Sequence, residues 1–254
     1  MLQIHQIPVL SDNYIYLIHD PVSQDSAVVD PAVSEPVLAA LAERGWRLTH
    51  ILNTHHHGDH VGGNLELKAR TGCTIVGAKK DRHRIPGIDV TVGEGDTFRF
   101  GTAEARLVEV PGHTLGHIAY WFAESDALFC GDTLFAMGCG RLFEGTAEQM
   151  WHSLMKLKAL PGNARVFCAH EYTEANGRFA LVVEPDNQAL IARMEVVVER
   201  RRQGRPTVPS SMAEEWATNP FLRSDQPALK RAVGMENRTP ADVFSELRRR
   251  KDRF

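Results

Sequence analysis

Within residues 54–63, THHHGDHVGG, the side chains of His55, His57, Asp59 and His60 form an HxHxDH box. Imidazoles and a carboxylate this dense, at ligand spacing, read as a metal site rather than as packing. Two imidazoles can bind one divalent ion, and a carboxylate with a third imidazole can start a second site. Side chains this crowded cannot all reach one ion in good geometry, so two metals are expected. His56 has no place in the pattern and is read as a neighbour of the ligands or a surface residue.

Three downstream segments offer further donors. In VPGHTLGHIAYWF, His113 follows a strand-like run and a Pro-Gly turn. In ALFCGDTLF, Asp132 lies just past an apolar strand, where a carboxylate could bridge two ions. In ARVFCAHEYT, His170 sits at the mouth of the apolar run Val166 to Ala169. Each alone is an ordinary cap or turn residue, but with the box they make a set of five imidazoles and two carboxylates. The set contains no thiolate, unlike many closed structural zinc sites, and so points to open coordination and catalysis.

The series HxHxDH, PGHTxGH, GDTLF and AHEYT is similar to the motifs of the metallo-β-lactamase superfamily. Within it, THHHGDHVGGN, CGRLFEGT and RRRKDRF resemble glyoxalase II, the hydroxyacylglutathione hydrolases, and the resemblance covers essentially the whole chain. It implies that His55, His57 and His113 hold a first metal, that Asp59, His60 and His170 hold a second, and that Asp132 bridges them. It implies an α/β fold, an αββα sandwich followed by a smaller all-helical domain. It also implies that Arg141 and Tyr172, with Arg248 and Lys251 on the last helix, contact glutathione. Arg141 and Phe143 stand where eukaryotic members carry lysine and tyrosine, so the charge is kept and one hydroxyl is lost. A guanidinium and an ammonium grip carboxylates differently.

The implied reaction is hydrolysis of S-(2-hydroxyacyl)glutathione thioesters, typified by S-D-lactoylglutathione, to glutathione and a 2-hydroxy acid, the second step of methylglyoxal removal. The expected cofactors are two divalent ions, zinc first, with iron or manganese also compatible with these donors. A water between two such ions loses a proton near neutral pH, its pKa falling from about 16 to about 7 at zinc. The hydroxide would attack the thioester carbonyl, with Asp59 and Asp132 counted as the catalytic carboxylates. The rival reading is a glutathione persulfide dioxygenase of the same superfamily, with one iron on two histidines and an aspartate. The presence of Asp59, His60 and His170 and of a long helical tail favours hydrolysis. Other hydrolase signatures are missing: no GxSxG elbow, no P-loop, and HEYTE fails the HExxH pattern at its last position.

The elements that must hold these residues follow from periodicity. LTHILN reads as a buried strand and VGGNLELKAR as a helix, with apolar spacing at Val61, Leu65 and Ala69. If the backbone stays extended after Thr54, His55, His57 and Asp59 turn to one side, His60 falls at the helix entry, and Gly58 keeps the turn small. Residues 1–174 alternate strand-like runs (SAVVDP, CTIVGA, DTFRF, ARLVEV) with helices over 35–44 and 147–160, and are expected to form the catalytic domain. Beyond them the strands are expected to stop. Residues 175–254 read as a helical substrate-binding domain: Asn187 to Arg202, a Ser211/Glu214 capping box, Gln226 to Val233 before Gly234, and a last helix starting at Thr239 with Pro240.

Charge divides along the same line. Residues 1–174 hold 14 basic and 21 acidic side chains (net −7), and residues 175–254 hold 15 and 11 (net +4). Arg248 and Lys251, three apart on one helix face, suit an anionic substrate. With a net charge of −3 and no interleaved aromatic platform, no nucleic-acid partner is expected. The 254 residues, 43% apolar, can bury a full core. The opening segment has no basic start and its apolar stretches are broken, so no membrane contact is expected. The four cysteines form no CxxC pair, and three of them lie in or beside apolar runs and are expected as buried free thiols, which points to a reducing compartment. A cytoplasmic monomer is the expected state.

Overall fold

The computed structural model describes all 254 residues. The β-branched runs of residues 3–92 pair into a six-stranded sheet in chain order: β1 Gln3–Val9, β2 Asn13–His19, β3 Asp25–Val29, β4 Arg47–Leu52, β5 Thr74–Ala78 and β6 Val90–Val92. The first three strands are antiparallel, and β3 to β6 are parallel. Parallel neighbours need crossovers. Helix α1 (Glu35–Arg44) connects β3 to β4, and α2 (Gly58–Val61) with α3 (Asn64–Thr71) connects β4 to β5. The period of two on β2 sorts its side chains. Ile15 and Leu17 pack with Val37, Leu41 and Leu67 of the helices, while Tyr16 meets Phe129 at 5.5 Å on the other face.

Phe129 belongs to an antiparallel sheet of β7 (Thr97–Phe100), β8 (Ala103–Glu109), β9 (Ile118–Phe122) and β10 (Ala127–Gly131). The Tyr120 hydroxyl donates to the Asn53 carbonyl at 3.0 Å, and His50 meets Phe98 at 5.5 Å, so these sheets pack face to face beneath one helix layer.

The chain divides into two compact units, residues 1–109 with 116–131, and residues 110–115 with 132–254. The second contains the short pair β11 (Leu134–Phe135) and β12 (Gly138–Cys139), then α4 (Ala147–Lys158), β13 (Arg165–Cys168), α5 (Thr173–Val183), α6 (Gln188–Arg202), β14 (Ser210–Ser211), α7 (Met212–Thr218), α8 (Pro227–Val233) and α9 (Pro240–Lys251). Capping boxes at Thr146/Gln149, Ser211/Glu214 and Thr239/Asp242 satisfy the first amides of α4, α7 and α9. Gly234, at φ 74°, closes α8.

Two local expectations need correction. Strands do not stop at residue 174, because Ser210–Ser211 pairs with Arg165 and Val166 of β13; two residues are too few to show a period. The helix after the box also breaks, and Leu65 is exposed while Asn64 and Leu67 are buried. The break lies at Gly62 and Gly63. A Cβ on Gly62 would collide with the Ala32 carbonyl, and one on Gly63 would lie 2.9 Å from the Pro31 carbonyl.

All four cysteines are free and buried, one more than the apolar runs alone suggested. Burial pushes the Cys139 thiol up to about 11 and Cys168 to about 12. No helix is long and apolar enough to cross a membrane.

Buried Asp20 ties the turn after β2 to the turn between β7 and β8. Its carboxylate accepts from the Thr102 amide (2.6 Å), the Thr102 hydroxyl (2.8 Å) and the Val22 amide (3.0 Å). Burial alone would raise its pKa, but these bonds outweigh it and hold the carboxyl well below the usual range. The native state thus binds this proton more weakly than the unfolded chain. The stabilisation is fully present above the unfolded pKa of about 4 and is lost as pH falls through the lowered native value. Asp20→Asn should lower stability at neutral pH by about 1–3 kcal/mol and reduce the acid-side fall in Tm, as read by thermal unfolding across that pH range.

Candidate active site

In the first unit, β3 and β4 run parallel with Val29 opposite Leu52, so the segments leaving their C-terminal ends start side by side. Asp30 leaves β3 in the left-handed region, φ 49°, and is 4% exposed. One of its oxygens accepts from the Thr54 amide at 2.8 Å. The other accepts from the Thr54 hydroxyl at 2.6 Å and lies 3.1 Å from His60 Nδ1. Thr54 Oγ1 is in turn 3.1 Å from His55 Nδ1. Two box imidazoles thus have Nδ1 engaged, which orients Nε2 as the ligand atom. His55 Nε2 lies 3.1 Å from His57 Nδ1, and His60 Nε2 lies 3.7 Å from Asp59 Oδ2. The Asn13 amide donates to Asp59 Oδ2 at 3.2 Å.

The backbone here does not stay extended. It bends at Thr54–His55, and His57 caps a one-turn helix that carries Asp59 and His60. Proximity on a helical turn therefore replaces the expected period of two. Gly58 is not required by space, since nothing lies within 4 Å of a Cβ built there. His56 has a different partner: its Nδ1 lies 3.0 Å from the fully buried Asp81, which also accepts from Arg84 Nε at 3.2 Å.

In the second unit, His113 Nδ1 donates to the Arg141 carbonyl at 2.9 Å, which leaves Nε2 as its acceptor nitrogen. That Nε2 lies 3.4 Å from Asp132 Oδ2, and His170 Nε2 lies 3.4 Å from Asp132 Oδ1. Asp132 thus offers one oxygen to each imidazole. Two ligands at about 2.0–2.2 Å from an ion, at a tetrahedral angle, stand about 3.3–3.6 Å apart. The spacing and the nitrogen–oxygen donor set both fit divalent ions, and a carboxylate divided in this way fits a bridge.

A cavity of about 390 Å³ in this unit is lined by His113, Asp132, Arg141, Tyr172, Arg248 and Lys251, among others. Tyr172 stacks on the His170 ring at 4.8 Å and 5°, and Phe143 meets His113 edge-on at 5.1 Å. Burial, then the nearby Arg248, Arg178 and Arg141, lower the Lys251 pKa. The cavity therefore combines ligand-type side chains with concentrated positive charge, a setting for an anion carrying a group to be activated.

Sequence reasoning missed Asp30, although SAVVDP shows the same pattern as the other donor segments, an apolar strand followed by an acid. Asp30 groups with His55 and His60 as potential ligands. Its oxygens already serve Thr54 and His60 Nδ1, which makes it the residue that orients ligands.

A family model described as hydroxyacylglutathione hydrolase C-terminus matches residues 171–254, and one described as metallo-beta-lactamase superfamily matches residues 10–170. A hydroxyacylglutathione hydrolase of Methylococcus capsulatus is 64% identical over 254 residues, covering 100% of this chain and 99% of that protein. The chain belongs to the hydroxyacylglutathione hydrolase family. A second hydroxyacylglutathione hydrolase, of Rhodospirillum rubrum, is 60% identical over 253 residues, covering 100% of this chain and 99% of that one. Among solved structures, ETHE1 from Myxococcus xanthus superposes with a TM-score of 0.71 at 27% identity, covering 97% of this chain and 90% of that one. The resemblance read from the motifs is thereby borne out, as is the fold class: a metallo-β-lactamase fold followed by the helical domain of the hydroxyacylglutathione hydrolases. His and Asp clusters in this superfamily imply divalent metal ions.

Asp30→Ala should weaken divalent-metal affinity about tenfold to a hundredfold, the usual effect of losing a residue that orients ligands. Chelator competition with metal counted per chain would measure it.

Proposed function

We propose that this member of the hydroxyacylglutathione hydrolase family hydrolyses S-(2-hydroxyacyl)glutathione thioesters, with S-D-lactoylglutathione as the type substrate, to glutathione and a 2-hydroxy acid in the second step of methylglyoxal removal. The observation that carries this reading is the single cavity in which His113 and Asp132 share a lining with Arg141, Arg248 and Lys251.

The proposed ligand sets are His55, His57 and His113 for one ion and Asp59, His60 and His170 for the other, with Asp132 bridging. Family membership and the donor spacings within each unit support them. Zinc is the proposed metal, with iron or manganese suited to the same donors. Two such ions, when bound, supply the Lewis acidity that brings water near a pKa of about 7 and polarises a carbonyl.

The remaining roles belong to the chain. His113 keeps its proton on Nδ1, held by the Arg141 carbonyl, and so offers the unprotonated Nε2 as a ligand atom. Asp59 and Asp132 are the proposed catalytic carboxylates, and Asn13 holds the first of them. Glutathione carries two carboxylates, for which Arg141, Arg248 and Lys251 are the proposed cationic partners, and Tyr172 completes the binding set. Cys139 also lines the cavity, but burial pushes its thiol up to about 11, so it stays protonated and is no nucleophile at neutral pH.

Residues 1–174 are proposed as the catalytic domain and residues 175–254 as the helical glutathione-binding domain. Free buried thiols support the proposed cytoplasmic location, and the absence of a basic aromatic platform supports the proposal that there is no nucleic-acid partner; a monomer is the proposed state.

The test is metal counted per chain, combined with thioester loss from S-D-lactoylglutathione before and after chelation. Metal-dependent turnover with two ions per chain is expected, and Asp132→Ala should abolish it. Near-normal turnover in that variant would sink the bridging role. No turnover from a metal-filled protein, with oxygen consumed on glutathione persulfide instead, would establish the dioxygenase reading. Because the Lys251 pKa is lowered, its ammonium is lost at a lower pH than that of an ordinary lysine. KM for the anionic thioester should therefore begin to rise on the alkaline side before an ordinary lysine titrates; initial rates across alkaline pH would show this.

A further inference from the structure

The end of α9 carries two features that local rules disfavour. Asp252 caps its C-terminal end, where the helix dipole repels a carboxylate, and Phe254 leaves its side chain 61% exposed. Both residues touch cations of the cavity. Asp252 Oδ1 accepts from Arg248 Nε at 3.0 Å and lies 2.8 Å from Nη2. Nη1 donates to the Cys139 carbonyl at 2.9 Å, and the guanidinium carbon sits 5.3 Å from the centre of the Phe221 ring. Every nitrogen of that guanidinium has a holder, and Arg248 is only 6% exposed. Lys251 is held differently. Its Nζ lies 5.6 Å from the Phe179 ring centre and 5.2 Å from that of Phe254, and it donates to the Ala175 carbonyl at 3.3 Å. The two rings meet edge-on at 5.6 Å.

Long cationic side chains lose rotamer freedom when they grip a ligand, and side chains already immobilised lose less. Burial and three arginines work against the charged form of Lys251, and two ring faces offset part of that. Residues that break local rules beside a functional cavity are the ones expected to have another role.

We propose that Asp252 and Phe254 are positioning residues for substrate binding: Asp252 locks the Arg248 guanidinium, and Phe254 with Phe179 cages the Lys251 ammonium, so that both cations line the cavity preset for a carboxylate of the glutathione thioester. This rests on the reading of the cavity as the glutathione site. Asp252 also carries a charge that repels an anion, so its removal has two opposed effects, and the sign of the change in KM separates them.

The experiment is steady-state kinetics on S-D-lactoylglutathione with the metal-loaded full chain, with Tm and metal content followed for every variant. Asp252→Ala and Phe254→Ala should each raise KM about three- to tenfold, the range for immobilising one rotamer-rich side chain on binding, with kcat and metal content unchanged. Asp252→Asn, which keeps an acceptor, should fall closer to the parent than Asp252→Ala. Phe254→Trp should restore KM and Phe254→Leu should not, because only the former keeps a π face; a merely structural role would make both behave alike. Arg248→Ala is the control for the underlying reading. If it raises KM while Asp252→Ala and Phe254→Ala leave KM unchanged or lower it, the positioning role is overturned and the glutathione site stands. If Arg248→Ala also leaves KM unchanged, both fall. Loss of kcat or metal together with Tm would make these residues structural and would likewise overturn the proposal.

Discussion

A buried carboxylate is tolerated only when its oxygens are satisfied, and Asp30 is where this fold meets that demand. Its two oxygens take an amide and a hydroxyl from Thr54 and face an imidazole nitrogen of His60. Through the same hydroxyl the constraint extends to His55. One unpartnered charge would be intolerable in that position, so the loop after β4 has little freedom to rearrange. The parallel register of β3 and β4 puts the acid and its donors at the C-terminal ends of two neighbouring central strands. Gly62 and Gly63 let the helix entry press against the carbonyls of Pro31 and Ala32. Ligand orientation in the first unit is thus a property of strand pairing and close backbone approach as much as of the histidines.

The second unit solves a different problem, crowding of like charge. Arg141, Arg178 and Arg248 all act on Lys251. Asp252 sits against Arg248, and Glu174 pairs with Arg178 at 2.6 Å. The imidazoles His113 and His170 are each flanked by an aromatic ring and share the oxygens of Asp132. Positive charge persists around the cavity with Arg178, Arg248 and Lys251 each beside an acceptor, ring or carboxylate that limits its desolvation.

Much of this was readable from residue types alone. Strand runs such as SAVVDP and CTIVGA became β3 and β5, and the capping signals at Ser211 and Thr239 marked the starts of α7 and α9, because a period of two and a side-chain cap are local signals. Apart from the helical turn inside the box, which took the place of an extended run, the failures were non-local. The break in the helix after the box depends on carbonyls of the Asp30 loop, which no pattern in VGGNLELKAR can report. The two-residue β14 exists only because β13 offers it a partner. The donors themselves were visible by type and spacing, whereas Asp30, one acid among many, gains its meaning only from Thr54 and His60 beyond the end of the neighbouring strand. The acid that ends the helix, Asp252, is similarly unremarkable until its contact with Arg248 is seen.

The residues proposed to recognise glutathione, Arg141, Tyr172, Arg248 and Lys251, all belong to the second unit, while the HxHxDH box belongs wholly to the first. Substitutions in the helical tail can therefore change what is recognised without disturbing the Asp30–Thr54–His60 hydrogen bonds that orient the box. Such a division makes the chain evolvable. The helical tail can drift toward new acyl or thiol carriers under selection for specificity, while purifying selection on the proposed metal ligands, the box in the first unit and His113, Asp132 and His170 in the second, preserves the chemistry.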